Sequence, residues 1–196
     1  MNGAGVSIVI CTYKGIARLT EKLDAILQLN RGIARELILV DNASTEDMAG
    51  FCDDYFSQQT STLAYKLVRE DKPGLCYARI AGILQARYEY ILFCDDDNAL
   101  FPDYLELGVK LFSNNPQIGV IGGTGIAKSS TALPEWFECY QRCLYVGLQD
   151  QDSGIVAQKP GHLYGAVVFF RRSAMCAILK VVFSPILKVR TADTLL

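Results

Sequence analysis

Three short stretches of this chain are almost unbroken runs of apolar residues, and each ends abruptly on polar or acidic side chains. Residues 6–11 run into Thr12-Tyr13-Lys14, residues 36–40 into Asp41-Asn42, and residues 90–94 into Asp95-Asp96-Asp97. A strand that is apolar on both faces is stable only where both faces are covered, which is the condition of a parallel sheet flanked by helices. The segments between these runs repeat their apolar residues at helical spacing, as crossover helices require.

The helical segments are legible from the same patterning. Ile16, Leu19, Leu23, Ile26 and Leu27 lie three or four apart and predict a helix reaching about residue 29. Ser44 followed by Asp47 can cap a helix that runs to about residue 57. A weaker strand over 63–68 leads to the turn Lys72-Pro73-Gly74 and then to a helix over 75–87. Pro102 sits where a first-turn proline belongs and opens a helix to about residue 112. A fifth strand over 118–121 and a last one over 163–170 flank a segment opened by Pro134. That segment reads as an aromatic helix with Trp136, Phe137, Tyr140 and Tyr145. The expected fold class is α/β, a mainly parallel central sheet with helices on both faces, and residues 1–196 read as one domain.

Composition removes several classes. Lys and Arg number 19 against 21 Asp and Glu, a net charge of −2, which lacks the basic excess of a nucleic-acid binder. Hydrophobic residues make up 51% of the chain, too many for a disordered acidic segment. The seven cysteines are odd in number and scattered, and none pair at C-x-x-C spacing. They read as reduced, buried small hydrophobes in a cytoplasmic protein. Cys139 and Cys143 have only His162 as an imidazole partner, so a zinc site is not expected. The apolar stretch 176–189 is broken by Lys180 and Pro185, too short to span a bilayer. At most a peripheral hold on a membrane is expected, at its inner face.

In open parallel sheets, ligands bind beyond the carboxyl ends of the strands, so the residues after each strand carry the chemistry. Three adjacent carboxylates there repel one another and raise each other's pKa unless a cation is present. A hard divalent ion, Mg²⁺ or Mn²⁺, suits them, and such an ion usually completes its shell with water and phosphate oxygens. If the chain stays extended, Asp95 and Asp97 share one side and Asp96 faces the other. The competing reading of the triad is a solvated turn or a helix cap. Similarly, Asp41 either faces a ligand or caps a turn toward Ser44, and Arg79 either stands beside phosphates or is a surface cation. A receiver domain would need acids after the first strand, and a dinucleotide fold or a sugar-nucleotide pyrophosphorylase would need glycines there. Cys11-Thr12-Tyr13-Lys14-Gly15 supplies neither.

Five blocks together resemble family 2 glycosyltransferases of the GT-A fold, a Rossmann-like nucleotide-sugar-binding domain. They are residues 6–14, residues 39–44 (Leu39-Val40-Asp41-Asn42-Ala43-Ser44), and residues 74–79 (Gly74-Leu75-Cys76-Tyr77-Ala78-Arg79). Residues 90–97 and residues 165–172, ending Phe169-Phe170-Arg171-Arg172, complete the set. The resemblance implies metal-dependent, inverting transfer of a sugar from a nucleoside-diphosphate sugar to a saccharide or lipid-linked acceptor, as in polysaccharide synthesis. It further implies that Thr12 and Tyr13 line the nucleoside pocket and that Asp41 accepts from the base. Asp95 and Asp96 would contact the nucleotide sugar, Asp95 and Asp97 would hold the metal, and Arg79 would lie beside the phosphates. His162 and Trp136 are the acceptor-side candidates. Each has a plainer reading, His162 as a structural histidine and the aromatic run as core.

Two departures from the family pattern stand out. The family's usual Ala-Arg-Asn is Ala78-Arg79-Ile80 here. An inverting transfer also needs a general base, which the family places in an acidic dipeptide after the Arg-Arg strand. No Glu-Asp follows Arg172, and Asp193 is the one acid in the last segment. The expectation is therefore a C-terminally truncated transferase whose base lies beyond Leu196, the alternative being a nucleotide-sugar-binding module without transfer activity.

Overall fold

The strands form where the apolar runs predict them: β1 (Gly5–Thr12), β2 (Ala34–Asn42), β3 (Ala64–Glu70), β4 (Tyr90–Asp95), β5 (Val120–Gly122) and β6 (Val167–Arg171). Between them lie α1 (Ile16–Leu27), α2 (Met48–Ser57), α3 (Leu75–Gln85), α4 (Tyr104–Asn114), the short α5 (Phe137–Tyr140) and α6 (Arg172–Val182). The computed structural model describes residues 5–60, 63–147 and 163–182. His162 and Asp193 lie outside the described residues.

One sheet joins all six strands in the order β3-β2-β1-β4-β6-β5. The four strands from β3 to β4 are mutually parallel, and β6 runs antiparallel between β4 and β5. The chain moves outward from β1 to β3 and then returns to place β4 on the other side of β1. Because parallel crossovers keep one hand, the reversal moves α3 to the opposite face from α1 and α2. The carboxyl ends of β1 and β4 therefore diverge at a topological switch point.

Strand alternation divides the core in two. Ile8, Ile10, Leu37, Leu39 and Leu92 pack with Leu19, Leu23 and Ile26 of α1 and with Phe112 of α4. Val9, Ile38, Val40, Ile91 and Phe93 face Ala78 and Ile83 of α3, with Met175 and Leu179 of α6 at the margin. Burial on both faces is why β1, β2 and β4 carry no polar alternation. Glu36 is buried at the amino end of β2. It accepts from Ser7 Oγ at 2.6 Å and from the Arg87 backbone N–H at 2.9 Å, with the Arg87 guanidinium alongside.

Several boundaries differ from the sequence reading. Asp47, not Ser44, caps α2, its carboxylate accepting from Gly50 N at 3.0 Å. The Pro102 segment begins its helix two residues late, after a turn through Asp103. The 118–121 and 163–170 strands narrow to β5 and β6, and α3 ends at Gln85, where Ala86 turns extended. The predicted aromatic helix is one turn of α5 followed by a 3-10 turn over Gln141–Leu144, and Tyr145 leaves it in the left-handed region at φ 59°. Its aromatics are not core, for Trp136, Tyr140 and Tyr145 are all more than half exposed. The cysteines are all unpaired, but only Cys52 and Cys94 are buried, while Cys76, Cys139 and Cys143 are exposed. No helix among the described residues is long and apolar enough to cross a membrane.

Candidate active site

The parallel register brings three strand ends level. Thr12 pairs with Asp41 across β1 and β2, and Cys11 pairs with Asp95 across β1 and β4. The loops that follow are held in shapes that side chains ordinarily avoid. Lys14 and Ala43 have φ of 49° and 59°, left-handed conformations that cost a non-glycine residue about 1–2 kcal/mol each. Cross-loop bonds hold them there: Lys14 N donates to Ser44 Oγ at 2.9 Å, and Ile16 N donates to Glu46 Oε2 at 3.3 Å. The second bond supplies α1 with a cap that Gly15, lacking a side chain, cannot provide.

Asp41 is buried and both of its oxygens are engaged. Oδ1 accepts from Ser44 N at 3.1 Å, as the capping reading anticipates, and Oδ2 takes a close ion pair from Arg69 at the end of β3. The Arg69 guanidinium also donates to the Ser44 carbonyl at 2.8 Å and to Asp71 at 2.9 Å. Asn42 fixes the next loop. Its amide donates to the carbonyls of Glu70 and Lys72, and its oxygen accepts from Gly74 N at 2.8 Å. Tyr13 is more than half exposed above these loops, with Lys14 Nζ 5.4 Å from its ring centroid.

The three acids part company at the end of β4. The strand stops at Asp95, and Asn98 N donates back to the Asp95 carbonyl at 3.2 Å. The chain thus turns at Asp96 and Asp97, and the extended alternation expected for the triad does not continue through it. Asp95 meets Arg79 of α3 at 3.4 Å, and Arg79 also donates to the Gly165 carbonyl at 2.9 Å while stacking over Phe93. Arg79 is therefore built into the strand ends and is not a free surface cation. Burial pushes the Asp95 carboxyl above its ordinary range, Arg79 opposes that shift, and Asp97 and Asp96 add to it.

Asp96 points instead toward β1 and α1. Its Oδ2 accepts from Thr12 Oγ1 at 2.6 Å and from Arg18 Nη2 at 2.7 Å, and its Oδ1 accepts from Arg18 Nε at 3.3 Å. Gly15 makes this possible, since a Cβ there would lie 2.0 Å from Thr12 Oγ1 and 2.5 Å from Asp96 Oδ2. Asp97 is exposed and takes one bond, from Asn98 Nδ2 at 2.9 Å to its Oδ1.

A divalent ion at this turn would have to be held mainly by its ligand. Asp95 Oδ2 and Asp97 Oδ2 have no hydrogen-bond partner among the described residues, and Asp95 carries a desolvated charge that Arg79 offsets only in part. No three His, Cys, Asp or Glu side chains converge on one point among the described residues. A two-carboxylate grip with remaining positions for phosphate and water suits Mg²⁺ or Mn²⁺. Trp136 makes its ring contact edge-on with Tyr140 at 6.4 Å, within its own short segment.

Sequence reasoning missed Arg18 and Arg69. Arg69 had a signal, since it directly follows the strand read over 63–68, and in the fold it pairs with Asp41 across β2 and β3. Arg18 had none, because its partner lies 78 residues away.

The sheet is mainly parallel, with one antiparallel strand between β4 and β5, and carries an acid turn at its switch point, an architecture shared with solved GT-A glycosyltransferases. Residues 7–179 match the glycosyl transferase family 2 model, and the chain belongs to that family. It is 25% identical over 177 residues to the glucosyl-dolichyl phosphate glucuronosyltransferase of Haloferax volcanii, a match covering 88% of this chain and 54% of that protein. It is 22% identical over 172 residues to the poly-beta-1,6-N-acetyl-D-glucosamine synthase of Staphylococcus epidermidis, covering 87% of this chain and 40% of that one. A mannosyltransferase from Pyrobaculum calidifontis, solved with GDP-Man and Mn²⁺, shares the fold at a TM-score of 0.64 and 22% identity. That likeness covers 90% of this chain and 46% of the other. S. aureus TarS with UDP-GlcNAc superposes at a TM-score of 0.62 and 17% identity, over 90% of this chain and 46% of that one. The chain spans about half the length of these relatives.

Proposed function

We propose that this chain is the donor-binding domain of an inverting glycosyltransferase that uses a nucleoside-diphosphate sugar and a divalent cation in polysaccharide or glycolipid synthesis. The observation that carries the reading is the meeting of Thr12, Asp95 and Asp96 where β1 and β4 diverge, with Arg79 beside them. Family membership supports it, as do a relative named as a glucosyl-dolichyl phosphate glucuronosyltransferase and one named as a poly-beta-1,6-N-acetyl-D-glucosamine synthase.

In this reading the Thr12 loop and Tyr13 form one wall of the nucleoside pocket, and the loop held by Asp41 forms the other. Asp41 acts through shape as much as through contact, because both its oxygens are already bonded. Asp95 and Asp97 would hold Mg²⁺ or Mn²⁺, which when bound would supply Lewis-acid stabilisation of the charge gathering on the departing diphosphate. Arg79, anchored by Gly165 and stacked on Phe93, keeps a guanidinium near that charge without reorganising. The sugar becomes oxocarbenium-like as the bond breaks. Its acceptor is a saccharide or a lipid-linked saccharide, and a lipid carrier would bring the protein to the inner face of a membrane. Trp136, exposed and aromatic, would stack on such an acceptor.

Calorimetric titration with UDP and GDP, with and without Mn²⁺, tests the reading. Binding that requires Mn²⁺ and is lost in Asp97→Ala is expected. Binding unaffected by either change would overturn it.

A further inference from the structure

Among the described residues Arg18 is the one cation that reaches Asp96, and it does so with two nitrogens in a forked contact. Thr12 completes the grip, so the middle acid of the triad bonds to β1 and α1 while its neighbours do not. The contact spans three pieces of chain that meet only in the fold: the end of β1, the first turn of α1 and the turn after β4. It also crosses Gly15, where a side chain would not fit.

We propose that Arg18 is a positioning residue that withdraws Asp96 from the cation and fixes the Thr12 loop against the acid turn, leaving Asp95 and Asp97 to bind metal. This rests on the donor-binding reading above. The physical argument has two parts. A carboxylate held by a planar fork and a hydroxyl has a fixed orientation, and reaching for a metal would break three bonds at once. A guanidinium on Asp96, close enough to feel the charge of Asp97, also lowers the net negative charge that a free cation meets. Arg18 therefore weakens the bare site for metal while shaping it for the metal with its diphosphate. Selectivity for the loaded ligand over the lone ion is the expected consequence.

The two parts give opposite signs, which a merely structural arginine would not produce. Mn²⁺ alone, titrated by calorimetry or by its EPR signal, is expected to bind Arg18→Ala about three- to tenfold more tightly than the wild type, the effect of deleting one close charge in a partly solvated site. UDP or GDP at saturating Mn²⁺ is expected to bind the same variant more weakly. Arg18→Lys keeps the charge and loses the fork, so it should leave Mn²⁺ affinity near wild type and still weaken the nucleotide. Arg18 is half exposed, and the melting curves of both variants should remain cooperative. If Arg18→Ala binds Mn²⁺ no more tightly, or leaves the nucleotide unaffected, the inference is overturned while the donor-binding reading stands. A wild-type protein with no Mn²⁺-dependent nucleotide binding overturns the reading itself.

Discussion

Thr12 Oγ1 donates to Asp96 Oδ2 at 2.6 Å, joining the ends of two neighbouring strands through residues 84 apart in sequence. Thr12 is buried and Asp96 is only partly so, so the bond ties the end of β1 to the turn after β4. Thr12→Val keeps the shape and removes the donor. We expect a stability loss of about 1 kcal/mol, and a fall in Mn²⁺-nucleotide affinity of about tenfold as the loop loosens. Thermal melting and calorimetry measure the two, and unchanged nucleotide affinity would show that the bond does not shape the donor site.

Gly15 tests close approach without backbone strain, since its φ of −117° is open to any residue. A methyl group there collides with Thr12 and Asp96 together. Gly15→Ala should destabilise the fold by about 1–3 kcal/mol, the usual cost of overpacking, and should part Thr12 from Asp96. A crystal structure of the variant that still shows the Thr12–Asp96 bond would contradict this.

The Asp41–Arg69 pair predicts a signed coupling. Arg69→Ala strands a buried carboxylate with, among the described residues, the Ser44 N–H alone for company, whereas Asp41→Asn keeps that bond and removes the charge. The double variant should therefore resist urea better than Arg69→Ala alone. A double variant less stable than both single variants would mean that Asp41 is not paying a charge penalty.

The thiols should divide by burial. Burial pushes Cys52 up to about 11 and Cys94 up to about 12, and a thiol reacts only as its thiolate. At pH 8 iodoacetamide should label exposed Cys76, Cys139 and Cys143 in the native protein, with Cys52 and Cys94 protected until urea is added. Peptide mass spectrometry reads this directly, and rapid native labelling of Cys52 would count against its placement between α2 and the sheet.

Much of the fold is legible in the chain. The apolar runs predict β1, β2 and β4 because a strand buried on both faces has no room for polar alternation. Their polar ends predict where a ligand would lie, because the carboxyl edge of a parallel sheet is where loops can open. What fails locally fails for identifiable reasons. Ser44 and Asp47 are both good caps, and only the loop packing that engages Ser44 with Lys14 leaves Asp47 for α2. The aromatic residues after Pro134 have helical spacing, yet the segment has too little apolar surface beneath it to extend a helix past one turn.

The sequence by itself determined the alternation of strands and helices, the three polar strand ends and the acid run, since each depends on residues close together in the chain. The tertiary structure decided how those acids divide. Asp95 goes to Arg79, Asp96 to Thr12 and Arg18, and Asp97 to the exposed side, because the partners are set by strand order and helix packing. Periodicity encodes which face of a segment is buried. It carries no information about which distant segment will stand opposite, and that is what gives adjacent, identical side chains different surroundings.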